Sequence, residues 1–151
     1  MKFTEQDYKY IDMALEVAKR STCVRHGRKI GAVFVKDGKV LYLSCNGVLA
    51  NGCKSCEELG GCIRNRLNVI TGTQNELCYA TCAETRCVCE AARDGIAIKG
   101  AVVYCTHRPC VICTRVMATA EVARVIYKED YPDPNAAAIA KAVGLPVFQL
   151  Q

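Results

Sequence analysis

The sequence predicts an α/β fold, in which a mixed β-sheet carries helices on its faces. Apolar residues recur at helical spacing near the N-terminus, and two apolar, β-branched runs then flank Asp37-Gly38, which is a strong hairpin signal. Strand and helix patterns alternate from residue 82 to the C-terminus. The chain has 151 residues, 51% of them hydrophobic, so we expect one domain over residues 1–151 with its own core.

The first part of the chain predicts a helix, a hairpin and a long loop. Thr4 is a plausible N-cap for a helix over 5–20. Strands at 30–35 and 40–43 should pair antiparallel across the Asp37-Gly38 turn. Residues 46–79 are rich in glycine and cysteine and show no sustained period. A loop of this length inside a compact domain is unusual and tends to be functional.

The second part of the chain predicts alternating helices and strands. Asp94-Gly95 ends the first of these helices, and Pro109 fits the first turn of the second, where proline is tolerated. The predicted helices are 82–93, 109–119 and 134–143, and the predicted strands are 101–105, 122–127 and 146–150.

Twelve cysteines are the most unusual feature of the composition. The N-terminus has no apolar run behind a basic start and therefore does not match a signal peptide, so a cytoplasmic location is expected. No stretch of about 18 uncharged apolar residues is present, so we expect no membrane span. Clustered cysteines in a reducing compartment bind metal or perform chemistry more often than they form disulfides.

Two short motifs carry candidate chemistry, Cys82-Ala83-Glu84 and Pro109-Cys110-Val111-Ile112-Cys113. Cys110 and Cys113 lie at a predicted helix start, so both sulfur atoms can point the same way and the helix N-terminus favours thiolates. Cys82, at the start of another helix, would add a third ligand. Three protein ligands leave the fourth position of a tetrahedral zinc ion open for water, as in catalytic sites. Glu84 would stand beside that water and transfer its proton.

The combination of the two motifs matches the signature of zinc deaminases. A lone C-x-x-C is also typical of a redox pair or a zinc knuckle, but the preceding proline and the upstream C-x-E favour a deaminase. Three thiolates would leave the zinc centre with a net charge of about −1. Arg86, on the helix of Glu84, is either a cation that offsets this charge or an ordinary surface residue.

The formal charge of +5 is weak evidence for a nucleic-acid partner, because zinc-bound thiolates would remove much of it. The densest basic group is Arg25, Arg28 and Lys29 beside His26, which indicates either a solvated loop or a site for a small anion. The chain has no tryptophan and few aromatic residues on which bases could stack. A small-molecule substrate is therefore favoured over nucleic acid.

Further short motifs accompany the two zinc motifs along most of the chain, from the first helix to about Asp133. Together they are Arg20-Ser21-Thr22-Cys23, Ile30-Gly31-Ala32-Val33, Val35-Lys36-Asp37, Asn46-Gly47, Glu76-Leu77-Cys78, Cys82-Ala83-Glu84, Thr106-His107-Arg108-Pro109-Cys110 with Cys113, and Glu129-Asp130-Tyr131-Pro132-Asp133. This set of motifs resembles the deoxycytidylate (dCMP) deaminase family of the cytidine-deaminase-like superfamily. The chain departs from the usual pattern of that family in having Cys82 where histidine is common and Thr85-Arg86-Cys87 after the glutamate.

The resemblance implies a three-layer α/β/α fold with a five-stranded mixed sheet, assembly as a dimer or hexamer, and conversion of dCMP to dUMP with release of ammonia. Asn46 would bind the sugar hydroxyl and the base edge, or serve only as a turn residue. Tyr131 would line the base or sugar pocket, or pack at its rim. Ala83 is a further expected substrate contact, and either Arg25 or Arg28 would meet the phosphate.

Other functions remain open at this level. The same chemistry could act on a nucleoside or another small amino-pyrimidine, or on a flipped base in nucleic acid. A zinc scaffold without activity would gain nothing from a glutamate beside an open metal position.

The long loop predicts a second, structural zinc site. Buried single cysteines usually behave as small apolar residues, but this loop has few apolar residues with which to bury them. Some nucleotide deaminases of the resembling family carry a second zinc. Four sulfur ligands would come from Cys23, Cys62, Cys78 and either Cys53 or Cys56.

Overall fold

The computed structural model describes residues 2–48 and 55–151. A short 3-10 turn spans Asn75–Leu77. The helices are α1 (Glu5–Ala18), α2 (Ile63–Arg66), α3 (Ala83–Asp94), α4 (Val111–Thr119) and α5 (Ala136–Ala142), and the strands are β1 (Gly31–Lys36), β2 (Lys39–Cys45), β3 (Val102–His107), β4 (Arg124–Glu129) and β5 (Val147–Gln149).

The five strands form one mixed sheet in the order β2-β1-β3-β4-β5. β1 pairs antiparallel with both β2 and β3, whereas β3, β4 and β5 run parallel. The predicted hairpin and the predicted five-stranded mixed sheet are therefore confirmed.

Helices cover both faces of the sheet, as the side chains of β1 show. Successive residues of a strand point to opposite faces, and those of β1 pack in two different core clusters. Val33 and Val35 belong to a core cluster with residues of α1. Ala32 and Phe34 belong to the other cluster, with residues of α3 and α4. The three-layer α/β/α arrangement is thus also confirmed, and β1 is buried because neither of its faces meets solvent.

The element ends differ from the predictions by at most two residues. The first helix ends at Ala18 rather than at residue 20, and the last begins at Ala136 rather than at residue 134. Pro109 was expected in the first turn of its helix, but this is wrong: Cys110 is the N-cap and the helix begins at Val111. The predicted loop at 46–79 contains α2 and the 3-10 turn.

Within residues 2–48 and 55–151, no helix has the length and apolar character needed to cross a bilayer.

A buried carboxylate joins α1 to the sheet. Asp7 is 5% exposed, and its Oδ1 accepts a hydrogen bond of 2.7 Å from the Tyr104 hydroxyl of β3. Its Oδ2 accepts bonds of 2.8 Å from both the N–H and the hydroxyl of Thr4, completing a capping box. Burial alone would raise the pKa of Asp7, but these hydrogen bonds outweigh it and the pKa is lowered.

We expect Asp7→Asn to lower the free energy of unfolding at pH 7 by about 1–3 kcal/mol, because the buried Tyr104 hydroxyl loses an ionised acceptor. Since the folded pKa lies below the ordinary value of 3.8, the contribution of Asp7 is present above that pH and is lost as the pH falls through the folded pKa. Denaturant unfolding at several pH values measures this. The exposed Asp12→Asn on the same helix is the control, and equal effects of the two variants would contradict the prediction.

Candidate active site

The N-termini of α3 and α4 meet and bring three cysteines together. Cys82 is the N-cap of α3 and Cys110 is the N-cap of α4, both with extended backbone. The sulfur atoms of Cys82, Cys110 and Cys113 all lie within 4.8 Å of one another. Cys113 is fully buried and Cys110 is 6% exposed. The structure therefore brings together the three residues that the motif spacing predicted.

The position of Cys82 is fixed by a backbone bridge to the end of β2. Gly47 N–H donates to the Thr81 carbonyl oxygen at 3.2 Å, and Thr81 N–H donates to the Gly47 carbonyl oxygen at 3.0 Å. This pair closes the base of the chain excursion between Asn46 and Cys82. The first ligand candidate thus lies directly after a residue anchored to the sheet.

The three sulfurs suit a soft divalent metal. Hydrogen bonds from the Cys113 and Cys82 thiols lower the pKa of Cys110 well below its usual value, and the backbone N–H groups of Cys113 and Ile112 lower it further. The site therefore already stabilises a thiolate, the form of cysteine that binds zinc.

Glu84 lies beside this cluster, in the first turn of α3. It is 3% exposed, and its Oε2 lies 3.6 Å from Cys113 Sγ. Burial raises the pKa of Glu84 to about 7, with a further contribution from the nearby Cys110 thiolate. A carboxyl group with such a pKa can both accept and return a proton near neutral pH.

One cavity connects the cysteine cluster and Glu84 to the expected substrate-binding residues. Its wall includes Asn46, Tyr131, Arg25 and Arg28. Ala83 is fully buried between Cys82 and Glu84 and does not line the cavity with its side chain. Its N–H belongs to the first residue of α3 and has no carbonyl partner within the helix.

The Asn46 side chain holds the segment that carries Arg28. Its Oδ1 accepts hydrogen bonds from Ser21 Oγ at 2.6 Å and from Ile30 N–H at 2.8 Å, and its Nδ2 donates to the Arg28 carbonyl oxygen at 2.8 Å. Asn46 therefore shapes the cavity wall through three local contacts.

Tyr131 lines the cavity and makes several contacts with polar residues around it. Its hydroxyl donates to Asn75 Oδ1 at 2.8 Å, and the Arg28 guanidinium lies over its ring, 5.2 Å from the centroid. Arg108 donates to the Tyr131 carbonyl oxygen at 2.7 Å and forms an ion pair with Asp130 at 2.7 Å. These contacts fix both the ring and the backbone of Tyr131.

Several cavity residues were not assigned a role from the sequence, namely Arg64, Asn75, His107 and Arg108. His107 and Arg108 directly precede the Pro-Cys motif, so their position was a usable signal. Burial lowers the pKa of His107, and Arg28 contributes to this shift while Glu129 opposes it. Asn75 directly precedes Glu76-Leu77-Cys78, so its position was also a usable signal. Arg64 lies outside these motifs, and only the folded excursion brings it to the cavity.

Arg86 does not line this cavity. Its Nε pairs with Glu90 at 2.9 Å and its Nη1 donates to the Cys45 carbonyl oxygen at 3.2 Å. These contacts give Arg86 a role that the sequence did not suggest, which is to tie α3 to the end of β2.

Four of the cysteines expected as ligands of a second zinc also line the cavity: Cys23, Cys56, Cys62 and Cys78. Cys53 lies outside the described residues. Burial raises the pKa of Cys23, and the proximity of Cys78 and Cys62 raises it further. In the part of the chain that the structure describes, no three of these sulfurs lie within 4.8 Å of one another.

Comparison with known proteins agrees with this geometry. A family model described as the cytidine and deoxycytidylate deaminase zinc-binding region matches residues 4–129. The chain belongs to this family. Zinc is thus the metal that the three sulfurs are suited to hold, and the fold around them is that of the family's deaminases.

Two curated relatives are deoxycytidylate deaminases. The protein from Mycobacterium phage D29 is 31% identical over 133 residues, which are 86% of this chain and 99% of the relative. The protein from Schizosaccharomyces pombe is 30% identical over 144 residues, which are 95% of this chain but only 43% of the relative. The chain therefore spans less than half of the yeast protein and nearly all of the phage protein.

A solved structure supports the same relation. The dCMP deaminase of cyanophage S-TIM5, in complex with dCMP and dUMP, matches with a TM-score of 0.78 and 26% identity. The match covers 99% of this chain and 100% of the cyanophage chain.

Proposed function

We propose that this protein is a zinc-dependent hydrolase that converts dCMP to dUMP and ammonia. The observation that carries the proposal is the group of Cys82, Cys110 and Cys113 with Glu84 at its side, in a cavity that is also lined by arginines. The phage relatives named dCMP deaminase, which match this chain over nearly their whole length, support the same substrate.

Cys82, Cys110 and Cys113 would hold the catalytic zinc. Zinc bound there supplies a Lewis acid that lowers the pKa of water toward neutrality. Glu84 accepts a proton from the attacking water and returns it to the base as the amino group leaves. The water oxygen ends on C4 of cytosine and the C4 nitrogen leaves as ammonia, so the reaction needs no other reactant.

The cavity wall supports a nucleotide rather than a free base. Ala83 N–H, which has no carbonyl partner within α3, would donate to the base, and Asn46 and Tyr131 of the cavity wall would contact the base and sugar. Arg25 and Arg28 are cations available to the phosphate, where charge-assisted hydrogen bonds are strong. A nucleoside or another small amino-pyrimidine remains the alternative substrate, and assembly into a dimer or hexamer remains a prediction.

Glu84→Gln tests the proton-transfer role. The amide keeps the shape of the side chain but cannot take a proton from water, so turnover should fall by at least ~10²–10⁴-fold. Zinc content and melting temperature should stay at the wild-type values. Glu121→Gln, at a surface ion pair with Lys99, is the control for removing a carboxylate. Activity near that of the control would remove Glu84 from this role.

Ammonia release from dCMP and from deoxycytidine tests the substrate. An arginine contact to the phosphate is worth about 1.5–3 kcal/mol, so kcat/KM should be roughly 10- to 100-fold higher for dCMP. Comparable values for the two compounds would favour a nucleoside deaminase. Turnover of cytosine within single-stranded DNA but of neither small molecule would favour an editing enzyme.

We further propose a structural zinc site in the cysteine-rich excursion. Its ligands would be Cys23, Cys62, Cys78 and either Cys56 or Cys53. Cys56 and Cys62 are 5% and 7% exposed, and all four described cysteines line one cavity. Burial raises the pKa of Cys23 and of Cys56, and the nearby Cys78 and Cys62 thiols raise both further, which supports the proximity of the four groups. Zinc binding would have to draw the sulfurs closer, because a Zn–S bond is about 2.3 Å long.

Metal analysis of protein purified without chelator tests the second site. Wild-type protein should contain two zinc ions per chain, and Cys110→Ala and Cys62→Ala should each retain one. Cys89→Ala, which removes an exposed thiol, is the control and should retain both. One zinc per chain in active wild-type enzyme would show instead that these cysteines are ordinary buried residues.

A further inference from the structure

Two copies of a Cys-x-Arg segment face the cavity. They are Cys23-Val24-Arg25, after α1, and Cys62-Ile63-Arg64, at the start of α2. Both cysteines and both arginines line the wall. The two segments are far apart along the chain, so the fold alone brings the arginines to the same cavity.

Both arginines hold one loop, residues 69–73. Arg25 Nη2 donates to Thr71 Oγ1 at 3.0 Å and to the Val69 carbonyl oxygen at 3.4 Å. Arg64 Nη2 donates to the Thr73 carbonyl oxygen at 2.8 Å. The loop itself is pressed against the segment after β4, because a Cβ on Gly72 would lie only 2.0 Å from the Pro132 carbonyl oxygen. One end of each guanidinium is therefore fixed.

The other side of each guanidinium offers a free donor. Arg25 Nη1 and Arg64 Nε are buried and have no hydrogen-bond partner among residues 2–48 and 55–151. Arg64 is only 7% exposed, although it carries a full charge. A buried N–H donor without an acceptor costs free energy, which a phosphate oxygen in the cavity would recover.

Tyr131 lines the same cavity as the two arginines and the cysteine cluster. Its hydroxyl donates to Asn75 Oδ1 at 2.8 Å, and the Arg28 guanidinium lies 5.2 Å from the centroid of its ring. The Arg64 guanidinium also interacts with this tyrosine, because it lowers the pKa of the hydroxyl, although burial raises that pKa overall. A nucleotide whose base is held at the cysteine cluster would therefore have its phosphate among the arginines of the same cavity.

We propose that Arg25 and Arg64 together bind the phosphate of the nucleotide and so select nucleotide over nucleoside. The inference rests on the proposed deaminase function and deepens it. It replaces Arg28 by Arg64 in this role, because Arg28 lies over the Tyr131 ring. Cys23 and Cys62 each lie two positions before one of these arginines. Any group that holds the two cysteines would therefore also position the two arginines.

The test compares Arg64→Gln and Arg25→Gln with wild-type zinc-loaded enzyme. Each variant should lower kcat/KM for dCMP by about 10- to 100-fold, mainly through KM, while kcat/KM for deoxycytidine changes far less. Arg64→Lys keeps the charge and should recover part of the loss. Arg66→Gln is the matched control, since Arg66 is exposed two positions along the same helix and bonds to the Tyr79 hydroxyl.

Calorimetric binding of the product pair dUMP and deoxyuridine gives a second readout that does not need turnover. Wild-type protein should bind dUMP more tightly than deoxyuridine, and both glutamine variants should lose this difference. Equal losses on dCMP and deoxycytidine with a lower melting temperature would show that Arg64 only supports the 69–73 loop. If wild-type protein prefers dUMP but deaminates neither substrate, the proposed function fails and the arginine pair stands.

Discussion

The convergence of two helix N-termini is the constraint on which the rest of the site depends. Cys82 and Cys110 each occupy the N-cap of a helix, and Cys113 follows within the first turn of α4. Burying three thiols and a carboxyl group together would be unfavourable without N–H donors and a metal to stabilise the ionised forms. The sheet makes this possible because β3 leads into α4, and because Gly47, just after β2, is bridged to Thr81, the residue before the N-cap of α3.

The residues proposed for the reaction and those proposed to contact the substrate come from different parts of the chain. The sulfurs and Glu84 lie at the N-terminal ends of α3 and α4, next to the sheet. Arg25 lies in the segment after α1, whereas Arg64 and Asn75 lie in the short helix α2 and the 3-10 turn, and each of the three is held by hydrogen bonds to another segment. Such a division is common in enzymes, in which a rigid scaffold positions groups and loops determine which substrate reaches them.

Short-range patterns allowed the fold and the metal ligands to be predicted from the sequence. The Asp37-Gly38 turn depends only on residues of one hairpin, and the C-x-E and C-x-x-C motifs each lie within one helical turn. Their geometry can therefore be predicted from residues that are close together in the sequence. The start of α4 was predicted at residue 109, two residues before its observed start at Val111. The difference arises because proline is compatible with both the cap region and the first turn of a helix.

Contacts between distant segments were not predictable in the same way. The Asn46 amide bonds to Ser21, Arg28 and Ile30, and none of these pairings follows from spacing or residue type alone. Arg64 looks like an ordinary surface cation in the sequence, and its burial follows only from the packing of residues 63–73 against the segment around Pro132. Resemblance to a family also gave no signal for it, since Arg64 lies outside every motif that carries the resemblance.

The bridge between Gly47 and Thr81 has a consequence for how this enzyme family can diversify. It brings both ends of the excursion to the same point at the edge of the sheet, so the chain between them is a loop that is closed at its base by two backbone hydrogen bonds. The entropy of closing such a loop rises only with the logarithm of its length, by about 0.6 kcal/mol for each doubling. A change in the length of the excursion therefore costs little loop-closure entropy, while the bridge keeps Cys82 beside Cys110 and Cys113.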